Sequence, residues 1–218
     1  MLRYLVHFIP IISILLAGFV CGLIRYRRKK ELRPVIILLG VTLAAELGSY
    51  YMAIMYRNNM PVSHFFNPLQ MIIWAVFFYS VIEDPRIKKA IVWIGTAMLL
   101  FAITNSIFLQ PIKTFPDNFL KLETMFFVLW GAALFIQQLD SPGNLSIFKD
   151  SLFVTSVAVL WFNLISFLFF LLYAYMLKHK IPAVTLRTIH QYSNYVYYLL
   201  LLTAILLPQK QVQDAGRI

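Results

Sequence analysis

The chain has 218 residues, 61% of them apolar and 13% charged, with a mean hydropathy of +0.76. Soluble domains carry about 25% charged residues, so an ordinary soluble domain is excluded. The formal charge of +10, from 19 Lys and Arg against 9 Asp and Glu, calls for no nucleic acid, because the basic residues crowd the ends of apolar runs, where they act as topology signals.

The apolar residues fall into seven runs, about 4–24, 34–56, 65–82, 90–110, 119–139, 151–177 and 187–207. Each is long enough to cross a hydrocarbon layer about 30 Å thick. They are apolar all round and do not alternate, which predicts spanning helices and excludes barrel strands. The expected fold is all-α: a seven-transmembrane-helix bundle forming a single integral membrane domain over residues 1–218, in the cell inner (cytoplasmic) membrane. Prolines at 34, 61, 85, 111, 116, 142, 182 and 208 mark run ends and connections. No connection exceeds about a dozen residues, so the bundle and its loops are expected to carry the function.

The first run contains Pro10, placed to kink a helix, and Cys21, a lone thiol that behaves as a small hydrophobe. It is too long for a cleavable leader and lacks a small-residue exit. RYRRKKELR (25–33) follows directly. With the N-terminus outside, twelve Lys and Arg fall on the cytoplasmic side and seven outside, six of the twelve in this one loop. That bias predicts an external N-terminus and a cytoplasmic C-terminus. The same loop has the charge to hold anionic headgroups at roughly 1 kcal/mol per basic residue.

The second run carries Glu46 at its centre, with Thr42, Ser49 and Tyr50 on the same helix face at i−4, i+3 and i+4. An ionisable side chain at that depth marks a site or a buried pairing. Glu46 is expected to be uncharged at neutral pH and to donate a hydrogen bond to an asparagine or a backbone carbonyl, with His190 its leading side-chain partner. The third run opens HFFNPLQ, placing His64, Asn67 and Gln70 in its outer third. The fourth ends ITNSIFLQP, with Asn105 and Gln110 near the outer end. The fifth opens NFLKLET, so Lys121 and Glu123 are read as outer residues. The sixth carries Asn163 and Trp161 at mid-depth. The seventh opens LRTIHQYSNYVYY, which sets Arg187, His190, Asn194 and Tyr197 on one face.

Polar residues thus gather in the outer half, from Glu46 at the floor to His64, Gln110 and His190 near the rim. Glu46, Asn105, Asn163, His190, Asn194 and Tyr197 are the candidate ligand-binding residues of an outward-facing polar pocket. Read as scaffold, the same groups hydrogen-bond between helices, each worth about 0.6 kcal/mol. Trp74, Trp130 and Trp161 lie nearer the middle, where packing is the plainer role.

No lysine lies in the seventh run, and no H-E-x-x-H, C-x-x-C, G-x-S-x-G or Walker-type loop occurs. Cofactor and metal stay unassigned, although His64 and His190 with Glu46 or Glu123 are conceivable metal ligands. The seven runs, the short loops and the segments LWFN (160–163) and IHQYSNYVYY (189–198) resemble the small heptahelical membrane proteins of bacteria. The layout is also similar to that of the seven-helix sensor modules fused to kinases and cyclases. That resemblance implies a non-enzymatic sensing or binding module. Only QKQVQDAGRI follows the last run, so its output is expected to pass to a separate membrane or cytoplasmic protein. Two alternatives remain open: an intramembrane, metal-assisted enzyme acting on lipid or isoprenoid substrates, and a structural or assembly subunit of a membrane complex.

Overall fold

The computed structural model describes residues 2–140 and 147–208, with the side chains of 2–7, 174, 177 and 178 excepted. Pro142, Lys210, Arg217 and the QKQVQDAGRI segment lie outside the described residues. Among those described the chain forms seven α-helices and no strand: α1 (Leu2–Arg25), α2 (Arg33–Tyr56), α3 (Met60–Val81), α4 (Pro85–Thr104), α5 (Asp117–Asp140), α6 (Ser151–Lys178) and α7 (Val184–Leu206). A 3-10 turn at Lys30–Leu32 leads into α2, and a π-helical turn at Asn105–Leu109 prolongs α4.

Helix starts follow local chemistry more than hydropathy. Prolines 34, 61 and 85 sit in the first two positions of α2, α3 and α4, where the missing N–H costs nothing. Asp84 caps α4, its carboxylate accepting from the amide of Arg86 at 2.7 Å. The polar turn PRIKK is therefore helical, and α4 begins five residues before the apolar run that announces it. In the same way Asn58 Oδ1 accepts from the Met60 amide at 2.9 Å, and α3 begins at Met60 instead of 65. Arg57 ends α2 in the left-handed region with φ 54°.

The helices α1, α2, α3, α5, α6 and α7 form a closed ring, each packed on the next and α1 completing it against α7. Helix α4 lies outside, against α3 and α5. At one end, Arg25 donates to the carbonyls of Ile205 and Leu206, tying the last turn of α1 to that of α7. The exterior is apolar: Ile24 is 78% exposed and Phe108 77%. The interior combines a large apolar core with buried polar groups, including Asn163, Ser166, Glu123 and Thr124. An exterior this apolar departs from the pattern of a soluble domain and suits a hydrocarbon surround. Five helices, α1, α2, α4, α5 and α6, are long and apolar enough to cross a membrane. The remaining two, α3 and α7, have 22 and 23 residues; they carry polar residues that turn inward.

The two halves of the ring differ. Toward the Arg25 end, Trp74, Phe77 and Phe78 of α3 meet Phe127 and Trp130 of α5 in a packed aromatic cluster, with centroids 5.2–6.2 Å apart. Trp74 and Trp130 are thus packing residues, while Trp161 faces outward at 47% exposure. Toward the other end the ring encloses a cavity.

The α1–α2 seam depends on glycine. A Cβ on Gly22 would lie 2.8 Å from Ile36, and one on Gly40 would lie 2.6 Å from the Phe19 ring. Small residues let helices approach closely where van der Waals packing is the chief attraction. Gly22→Ala and Gly40→Ala are expected to cost about 1–3 kcal/mol each by overpacking. Gly48, with nothing within 4 Å, is the control: Gly48→Ala should be neutral or stabilising by up to about 1 kcal/mol. Thermal unfolding in detergent ranks the three, and equal melting temperatures would remove the seam's claimed role.

Lys29, just after α1, is 5% exposed and its Nζ has no hydrogen bond. Burial holds its ammonium below the ordinary 10.5, against the opposing attraction of Glu31. The unfolded chain therefore binds more protons than the folded one as pH climbs toward 10.5. Over that window Lys29 makes stability rise with pH, and below it the cost of burying the charge is fully present. Lys29→Met should melt higher than wild type at pH 7, and the gap should narrow as pH climbs. A gap independent of pH would refute this.

Candidate functional site: a polar cavity enclosed by five helices

The cavity occupies about 650 Å³. It lies at the end of the ring that bears the α2–α3, α4–α5 and α6–α7 connections, and reaches the surface where Asn59 and exposed Arg187 line it. One wall is the α2 face of Thr42, Glu46 and Ser49, the face that helical spacing predicts. Tyr50 leaves that face and stacks on Phe8 of α1, centroids 4.5 Å apart. Helix α3 contributes Asn67 and Gln70, α5 Glu123 and Thr124, and α6 Asn163 and Ser166. Helix α7 contributes Arg187, His190, Asn194 and Tyr197, so the four residues spaced along one α7 face all reach the cavity.

Glu46 is half-buried, with Thr42 and Tyr198 beside it. Among the described residues it forms no hydrogen bond or ion pair, and its carboxyl borders the cavity space. The expected bond to an asparagine or a carbonyl is absent, because the groups across from Glu46 stand on the far wall. His190 is not its partner either. The ring of His190 stacks on Phe169 at 4.3 Å and 21°, with Phe162 and Phe170 at 5.5 and 5.8 Å. Its Nε2 shares a 3.0 Å hydrogen bond with Ser166 Oγ. Histidine and serine stand on adjacent helices, so the pair pins α6 to α7 on the aromatic side of the cavity.

Asn163 is buried and donates to the Val159 carbonyl of its own helix at 2.8 Å. Asn194 keeps a buried Oδ1 without a hydrogen bond. Tyr197 is buried at the floor, stacked on Phe162 at 4.6 Å, with Trp74 and Glu123 nearby. At the mouth, Arg187 Nη2 donates to the Tyr173 hydroxyl at 2.7 Å while its guanidinium lies over the Tyr173 ring.

Sequence reasoning named Glu123 only as a conceivable metal ligand and left it out of the pocket. Read as an outer residue near the start of its run, it is the more deeply buried of the two cavity carboxyls, at 2% exposure, and its Oε1 has no hydrogen bond. A signal existed: Phe119, Leu120, Glu123, Phe127, Trp130 and Leu134 share one helical stripe, and all are buried. A carboxyl on that stripe must face the interior.

Asn105 is a correction in the other direction. It does not reach the cavity. It is buried in the π-helical turn after α4, and its Nδ2 donates to Gln110 Oε1 at 3.0 Å. Gln110 in turn donates to Asp117 and accepts from the Asn118 amide, and Lys121 pairs with Asp117 at 2.6 Å. His64 also belongs to this scaffold and not to the cavity rim. Its Nε2 donates to the Thr114 carbonyl at 2.9 Å, and its Nδ1 meets Ser106 Oγ at 2.8 Å. Depth alone grouped these residues with the cavity; α4 lies outside the ring, so its polar end is turned to the α4–α5 loop. Among the described residues no three His, Cys, Asp or Glu side chains stand close enough to hold a metal ion.

Gln110 carries three polar contacts of that cap. Gln110→Ala should destabilise the protein by about 1–3 kcal/mol, since Asn105 loses its bond while staying buried. It should also speed amide exchange over residues 105–118. Unchanged exchange there would show that Gln110 does not hold the loop.

Comparison with protein-family models, curated proteins and solved structures finds no match to this chain, so the geometry of the cavity carries the functional reading.

Proposed function

We propose that the protein is a seven-span membrane protein, N-terminus outside, that binds a small molecule in the cavity and acts as a sensing or binding module through a separate protein partner. The observation that carries the reading is the convergence of side chains from five helices on one space of about 650 Å³, in the size range of small-molecule sites. Asn67 and Gln70 of α3 and Arg187, His190 and Asn194 of α7 lower the hydropathy of these helices and face this space, which makes both compatible with a span inside a bundle. Ten of the seventeen Lys and Arg among the described residues fall at the opposite end of the bundle, so the positive-inside rule turns the cavity mouth outward. The aromatic wall and the scattered hydrogen-bonding groups fit binding, and the Ser166–His190 pair stands among three phenylalanine rings as a helix-to-helix tie.

Single-cysteine labelling tests the reading. Cys21 is the chain's one cysteine, so a Cys21→Ser background is silent. A membrane-impermeant maleimide added to intact cells should label Ser49→Cys and Asn194→Cys. Arg28→Cys, in the basic loop, should be labelled only after the membrane is opened. Reversed labelling would overturn the orientation. Ser49→Cys unlabelled in both conditions would sink the water-accessible cavity.

A further inference from the structure

We infer that the ligand carries an organic ammonium group on an apolar body, with the ammonium seated at the floor between Glu46 and Glu123. This rests on the binding reading above and names its chemistry. Two buried acceptors and a second carboxyl stand at the cavity without a partner among the described residues. Glu123 Oε1 and Asn194 Oδ1 are buried acceptors without donors, and the Glu46 carboxyl faces the open space. Two donors nearby are committed, Asn163 Nδ2 to the Val159 carbonyl and Arg187 Nη2 to the Tyr173 hydroxyl, while the Asn67 and Gln70 side-chain amides stand on the α3 wall. Buried acceptors are ordinarily satisfied, so the complementary molecule is rich in donors, and an ammonium brings three and no acceptor.

Charge leads to the same chemistry. Two carboxyls line the cavity, and among the described residues neither forms an ion pair. The one lining cation, Arg187, stands ten residues from Tyr197, the floor residue beside Glu123, which is about 15 Å along α7. It is already held by the Tyr173 hydroxyl and pairs with neither carboxyl. Beside the carboxyls lies a wall of rings, Phe162, Phe169, Phe170 and Tyr197. These faces take an apolar body and attract a cation at their edge of the space. Two sources supply such a group: a soluble amine and an ethanolamine-headed lipid.

The test uses purified full-length protein in nanodiscs of phosphatidylglycerol, with Ser49→Cys in the Cys21→Ser background and maleimide labelling as the readout. Phenethylammonium should protect the thiol at concentrations at least about tenfold lower than 2-phenylethanol, the neutral isostere, as expected when an ion pair is made out of water. Phenylacetate should not protect. Glu123→Gln should erase the preference for the amine. Should that variant fail to fold, Glu46→Gln, whose carboxyl borders open space, should weaken it in the same direction. Protection by phosphatidylethanolamine in the disc, with no amine added, assigns the lipid source; protection by phenethylammonium alone assigns a soluble amine. A thiol that labels readily but is shielded by neither amine, or is shielded equally by alcohol and amine, overturns the ammonium assignment and leaves the cavity standing. A thiol that never labels removes the cavity and this inference together.

Discussion

A polar group turned toward hydrocarbon loses its water and gains nothing, and the rest of the molecule is arranged around that constraint. Helical backbone satisfies its own N–H and C=O groups, which leaves the side chains to be sorted. Threonines and serines on the half nearer Arg25 return their hydroxyls to their own helices, as Thr155 does to Ser151 and Ser156 to Phe153. Larger polar groups cannot do this fully, and they point into the ring. Six helices closing through α1 and α7 give them a common interior, and α4, left outside, has its polar end capped by its own loop.

Closing the ring needs close approaches in some places and rigid spacers in others. Gly22 and Gly40 bring α1 and α2 together at one seam. The five aromatic residues around Trp74 and Trp130 hold α3 and α5 at the width of their rings. At the opposite end the α5, α6 and α7 walls are spaced by Phe162, Phe169 and Phe170, which stack on His190 and Tyr197 and leave the neighbouring volume unfilled. The cavity is the consequence of rings packing against rings along one side of the interior while short polar side chains face them from α2 and α3.

Much of this was legible in the chain, and the reasons differ by residue. Hydropathy located all seven helices, but side-chain hydrogen bonds from Asn58 and Asp84 moved the starts of α3 and α4 outward, since a polar first turn is invisible to an apolar count. Helical spacing put Thr42, Glu46 and Ser49 on one face and Arg187, His190, Asn194 and Tyr197 on another. Both faces reach the cavity, because a 3.6-residue period survives folding. What spacing cannot supply is which helix a face meets. Asn105 and Asn163 look alike in sequence, yet one sits on the helix outside the ring and the other on a wall of the cavity. His190 was paired with Glu46 on depth, but a serine one helix away and three phenylalanines take its contacts. Glu123 was legible through its apolar stripe and was overlooked because its distance from the span end was weighed above its face.

The layer beneath the cavity separates binding from conduction. Tyr197 and Tyr198 close the floor, and below them Trp74, Phe77, Phe78, Phe127 and Trp130 are each at most 3% exposed. A conducting path needs polar or hydrated groups continuous from one end to the other; here it meets a block of rings at interior density. A molecule that enters from the mouth therefore reaches a dead end, in contact with Tyr197, which touches both the cavity and the neighbourhood of Trp74. Packed cores respond to a displaced side chain by switching arrangement more readily than by yielding continuously. The Tyr197–Trp74 contact thus joins the cavity floor to the half of the bundle that faces the basic loop.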